Sequence, residues 1–227
     1  MEKNRIVIAE NMIMARGGAL KLTRAELPSA FLKWQSEERL EMFSEMSRAG
    51  AGSVRRMPSH LPVLATIGQG PFPVNLATRG MGMLPKPERL AEFTTSFEAA
   101  RREGEGRAPE ETLARRAETA RAFYGDPANF DPSILGGLEI FEGRSEANLK
   151  ADPLASLLYA EPAPRYLSFQ INGVVDLVDG DDPRFRFLLA ARELFAMDAF
   201  HIRQTRYPHG YLFYVCEVLD KTPVERR

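Results

Sequence analysis

The sequence predicts an α+β fold: a small antiparallel β-barrel with N-terminal helices and an inserted helical hairpin. Three observations predict it. Six or seven short β-prone runs are separated mostly by turn formers, which favours hairpin pairing. Between about residues 87 and 124 the apolar spacing lengthens to three and four, the spacing of a helix face. Strands and helices also fail to alternate regularly, as a doubly wound parallel sheet would require.

The chain has 227 residues, and 44% of them are hydrophobic, enough for a substantial core. Its 30 Lys and Arg against 31 Asp and Glu leave a net charge of −1. That balance argues against a nucleic-acid binder, which needs a basic excess or a basic face. The lone Cys216 can form no internal disulfide and falls short of a cysteine zinc site. After Met1–Arg5 comes only the short apolar run Ile6-Val7-Ile8-Ala9, so no secretory signal is expected. No run approaches the roughly 18 apolar residues of a membrane span. A cytoplasmic protein without membrane attachment is the expectation.

Residues 1–58 read as a mainly helical extension packed on the barrel. After the turn-like Ala25–Ser29, Phe31, Leu32, Trp34, Leu40, Met42, Phe43 and Met46 form a helical stripe that Gly50 closes. The barrel domain then spans 59–227. Val63–Ile67 and Val74–Thr78 read as a hairpin across Gly68–Pro73. Leu90, Phe93 and Phe97 mark one inserted helix. A second begins at Pro109 with Glu110 and Glu111 in its first turn and stops at Gly125-Asp126-Pro127. The charged linker 101–107 between them reads as mobile. Further strands are expected at Leu138–Phe141, Ala155–Tyr159, Tyr166–Asn172, Val174–Val178, Phe200–Thr205 and Tyr211–Val218, with a bend or bulge at Gly173. Asp181-Asp182-Pro183 is a helix start.

Few constellations carry chemistry. Gly68-Gln69-Gly70-Pro71-Phe72-Pro73 lacks the third glycine and the following helix of a dinucleotide loop, so it reads as a turn. His60, His201 and His209 lack metal-ligand spacing, and no metal is expected. His201, Arg203 and Thr205 alternate on one presumed strand, giving it a polar face. Cys216 sits among apolar alternating residues and reads as a small hydrophobe. Arg144-Ser145 stands at the start of a short helix, where free amides and the dipole attract an anion. Read alone, those two residues favour an ordinary cap with solvated charges over a phosphate cradle.

Three stretches resemble the FMN-binding split-barrel superfamily, the pyridoxamine 5′-phosphate oxidase-like proteins. They are Pro62–Gly68 with Pro73–Leu76, Arg144–Leu149 before Asp152–Leu158, and Tyr166–Val178 before Asp181-Asp182-Pro183. The resemblance implies a split barrel that forms a homodimer and holds FMN in the groove between subunits. Arg144 and Ser145 then become phosphate residues, with Asn148 nearby. Thr78 and Arg79 line the groove, and His201, Arg203 and Arg206 lie toward the ring or substrate side. The implied activity is an FMN-dependent oxidation or reduction of a small organic substrate. Some relatives handle haem, with His201 or His209 as ligand. The third alternative is a cofactor-free protein-interaction subunit. The chain departs from the pattern in placing Ser145 where many relatives have lysine, and in its 87–124 insertion.

Overall fold

The computed structural model describes residues 6–53, 59–68, 70–198, 202 and 204–223. Its centre is a seven-stranded antiparallel sheet made of β4 (Val63–Ile67), β5 (Val74–Thr78), β6 (Met81–Pro85), β7 (Phe130–Leu138), β8 (Leu154–Ala160), β9 (Ser168–Val178) and β10 (Gly210–Asp220). The strand order is β5-β4-β8-β9-β10-β7-β6. The two edge strands, β5 and β6, are consecutive in sequence with only Arg79 and Gly80 between them. Three Cα–Cα steps span at most about 11 Å, so the sheet must curl until its edges meet. Pro62 and His60, just before β4, reinforce the join by accepting bonds from the amides of Arg79 (3.1 Å) and Met81 (3.0 Å). Among the described residues β5 and β6 share no ladder. The barrel is split there, as expected.

Residues 7–23, read from sequence as part of a mainly helical extension, instead form a three-stranded antiparallel sheet: β1 (Val7–Ile8), β2 (Met12–Ala15) and β3 (Leu20–Thr23). Leu20-Lys21-Leu22-Thr23 alternates half-buried and exposed positions, the signature of a strand. Arg16 ties this sheet to the barrel, its Nη2 lying 2.5 Å from Asp152. The expected helix is α1 (Ser29–Ala49), followed by Gly50 at φ +83°. Its first half buries Phe31 and Trp34 against the sheet. Phe31 meets Tyr159 and Phe169 edge-to-face, with ring centroids 5.0 and 5.4 Å apart.

The inserted hairpin, α2 (Pro87–Glu103) and α3 (Pro109–Tyr124), starts both helices on proline as expected. The linker read as mobile is a tight turn spanned by ion pairs, Arg101 with Glu105 (3.1 Å) and Arg107 with Glu111 (3.3 Å). Phe123 anchors the hairpin. Its ring lies 5.0 Å from Phe93, 5.2 Å from Phe130 and 5.4 Å from Phe187. Phe187 belongs to α5 (Pro183–Glu193), whose start is capped by Asp182 accepting from the Arg184 amide at 2.8 Å. The remaining helix, α4 (Arg144–Ala151), follows β7.

Three strand expectations shift. Of the run Leu138–Phe141 only Leu138 is in a strand, as the last residue of β7, because Glu139 accepts the Ile140 and Phe141 amides at 2.9 and 2.8 Å and diverts them from any ladder. The ladder lies upstream, in β7. The bulge expected at Gly173 falls on its partner: β9 is continuous, and the register slips between Val215 and Glu217 of β10. Of the expected strand Phe200–Thr205, residues 200, 201 and 203 lie outside the described residues, and Ile202, Gln204 and Thr205 are not in a strand. No helix among the described residues is long and apolar enough to cross a membrane.

Candidate functional site

The step from β7 to α4 is built around two buried carboxylates. Glu139 is fully buried. Besides its own following amides it accepts the Tyr211 hydroxyl, and Arg79 Nη2 lies 3.9 Å away. Glu146, in the first turn of α4, is also buried; Lys150 reaches it at 2.8 Å and His209 Nε2 at 3.3 Å. These neighbours offset charges that would otherwise oppose each other and the approach of an anion.

Sequence reasoning put Arg144, Ser145 and Asn148 together, and α4 separates them by face. Ser145 and Asn148 are buried. Ser145 Oγ accepts from Asn75 Nδ2 at 3.2 Å, and Asn148 Nδ2 donates to Thr66 Oγ1 at 3.0 Å. Asn75 and Thr66 are cross-strand partners in the β4–β5 hairpin. The two side chains therefore bolt α4 to that hairpin and face away from solvent. Arg144 is exposed and makes no hydrogen bond or ion pair among the described residues. Gly143, before it, offers no side-chain cap, so the first amides of the eight-residue helix are left for solvent or a ligand.

Thr78 is exposed at the end of β5. Arg79, one residue on, turns to Glu139 and keeps 19% of its side chain exposed. Arg206 is exposed, while His201 and Arg203 lie outside the described residues. Cys216 is half-buried, and burial pushes its thiol up to about 11, which leaves it protonated near neutrality and a poor nucleophile. No cluster of three or more His, Cys, Asp or Glu suited to a metal occurs among the described residues.

A second region went unnoticed in the sequence. A cavity of about 480 Å³ lies between the inserted hairpin, α1, α5 and the split of the barrel. Arg39, His60, Gly82 and Tyr124 form its polar wall; Met42, Phe97, Leu188 and Phe195 are among its apolar neighbours. Of the residues singled out for cofactor binding, the five that are described, Arg144, Ser145, Asn148, Thr78 and Arg79, do not line it. The signal that could have found it was Arg39, the charged residue on the buried face of α1, which it shares with Gln35, Ser36 and Phe43.

No protein-family model matches the sequence, and no curated protein matches it. Solved structures do. A putative pyridoxamine 5′-phosphate oxidase from Listeria innocua is 11% identical, with a TM-score of 0.41, covering 83% of this chain and 98% of the other. An FMN-binding protein from Syntrophomonas wolfei is 10% identical, with a TM-score of 0.40 and coverages of 86% and 95%. The haem storage protein HutZ from Vibrio cholerae is 9% identical, with a TM-score of 0.43 and coverages of 86% and 94%. One such scaffold hosts several activities. The split barrel itself is read from this chain's own strand order, β5-β4-β8-β9-β10-β7-β6.

Proposed function

We propose that the chain is a homodimeric FMN-binding oxidoreductase for a small organic substrate, with the cofactor phosphate seated on the first turn of α4. The observation that carries this reading is Arg144: an exposed guanidinium, unpaired among the described residues, at the first position of a helix whose opening amides lack a side-chain cap. Free N–H groups, the positive helix end and a guanidinium together suit a phosphate. Ser145 and Asn148 serve as positioning residues, holding the helix at a fixed angle to the β4–β5 hairpin. Arg79, 3.9 Å from Glu139, borders the same β7-to-α4 step, and Thr78 precedes it in the chain. Bound flavin would supply hydride or electron transfer; the chain's own residues bind it, orient it and exclude water.

The outer face of the β4–β5 hairpin supports the dimer. Register places Ile67 beside Val74 and Ala65 beside Leu76, and Val74 and Leu76 are 55% and 65% exposed. With Leu158 on β8, they make an apolar strip suited to a second copy.

Adding FMN to the purified protein tests the reading. Flavin fluorescence should be quenched with one FMN per chain, and light scattering should give twice the 25.5 kDa chain mass. Arg144→Ala should weaken uptake by about tenfold or more, the loss of one charge-assisted bond. Unchanged affinity in that variant would remove the phosphate assignment. A Soret band on adding haemin, with no flavin uptake, would favour the haem alternative. Uptake of neither would leave the barrel as an interaction scaffold.

A further inference from the structure

We infer that the cavity beneath the inserted hairpin is a binding site for a small amphiphilic carboxylate, an apolar body with one carboxylate that pairs with Arg39. Arg39 is only 5% exposed. Its guanidinium lies at the cavity wall: Nη2 is 2.6 Å from His60 Nδ1, the charge stacks 5.0 Å from the Tyr124 ring centre, and a Cβ on Gly82 would come within 3.4 Å of Nη2. His60, Tyr124 and Gly82 all line the cavity.

No carboxylate among the described residues forms an ion pair with Arg39, and its buried Nε has no hydrogen-bond partner. A buried cation without a counter-charge is costly unless something supplies one. With Nη2 beside His60 and Nε sealed from solvent, Nη1 is the guanidinium nitrogen left for a carboxylate oxygen. Arg39 is the buried one of the two arginines in the lining, and a single carboxylate would balance it; Arg192, half-buried at the mouth, donates to the Tyr207 hydroxyl and the Ile202 carbonyl.

The rest of the wall sets the other end of the ligand. Met42, Phe43, Met83, Phe97, Leu188 and Phe195 line the cavity with hydrocarbon and aromatic surface. A largely apolar space of about 480 Å³ lies in the range of small-molecule pockets, about 300–1,000 Å³. Water alone would find few partners away from Arg39. The cavity also reaches the surface, since exposed Ile202 and half-buried Arg192 belong to its lining. Gly80 and Gly82 make room at the polar end, where a Cβ on Gly80 would sit 3.3 Å from His60 Nε2.

The test is calorimetric titration of the flavin-free protein with decanoate and, separately, with decan-1-ol, its uncharged counterpart. The wild type should bind one decanoate per chain, and more tightly than the alcohol. Arg39→Met should weaken decanoate at least tenfold and leave decan-1-ol within about twofold. Ala120→Phe, which fills the cavity from α3, should weaken both ligands; circular dichroism confirms that each variant is folded. Absence of decanoate binding in the wild type, equal decanoate affinity in Arg39→Met, or indifference to Ala120→Phe in a folded protein would overturn the inference. None of these readouts depends on FMN, so this site and the α4 site can fail independently.

Discussion

The α4 step pairs most of its buried polar groups, with Arg79 Nε the exception and Glu146 Oε1 met only by the Lys150 and His209 charges, whereas the α1 side leaves more of them without a partner. At the step, Ser145 is paired with Asn75, Asn148 with Thr66, and Glu139 with two amides and a tyrosine hydroxyl. Around α1, by contrast, Trp34 Nε1, Gln35 Oε1, Arg39 Nε, Ser59 Oγ and Tyr159 Oη are buried without hydrogen-bond partners among the described residues. A satisfied buried group rigidifies the fold, whereas an unsatisfied one costs free energy until water or a ligand meets it. The inner face of α4 is architecture; the proposed ligand role of exposed Arg144 and the proposed recognition role of the cavity that Arg39 borders are separable from it and from each other.

Perturbing each side should expose that division. The largest effect is expected from Phe123→Ala on the insertion side, where a fully buried ring touches both helices of the hairpin, β7 and α5. Denaturant unfolding should show a loss of about 3–5 kcal/mol. Glu139→Ala should cost about 3 kcal/mol by the same measurement, because it leaves buried donors without their acceptor. A loss below about 1 kcal/mol would mean that the step is not held by its polar network.

A smaller effect concerns acid. Burial pushes the Asp182 carboxyl up, but the side-chain bond, backbone N–H and charge of Arg184 outweigh it, so the carboxyl lies below its ordinary value. A carboxylate lowered on folding contributes stability that is present above its unfolded pKa of about 3.9 and lost as pH falls through the folded value. Asp182→Ala should remove about 1–2 kcal/mol near neutrality and flatten that acid limb of the stability profile.

Much of the fold was legible in the residues. Pro109 and Asp182-Pro183 marked helix starts through local backbone chemistry, and the Gly68–Pro73 turn set the first hairpin. β6 was not legible: Met81-Gly82-Met83-Leu84-Pro85 is buried along its whole length and carries no alternation. The N-terminal strands were hidden because β1 and β2 are only two and four residues long. At the candidate site the sequence placed Arg144 at a helix start, which local signals decide. It could not tell that Ser145 and Asn148 face inward, since that depends on Thr66 and Asn75, some seventy to eighty residues away. The cavity needed α1, the insertion and the barrel split to meet, a long-range event that no local pattern records.

The most direct test of the division is an equilibrium FMN titration carried out in parallel on the wild type, Arg144→Ala and Arg39→Met. Flavin affinity is expected to fall about tenfold or more in Arg144→Ala and to stay within twofold of wild type in Arg39→Met. The reverse pattern, with flavin binding lost in Arg39→Met and intact in Arg144→Ala, would place the cofactor in the cavity and contradict the account.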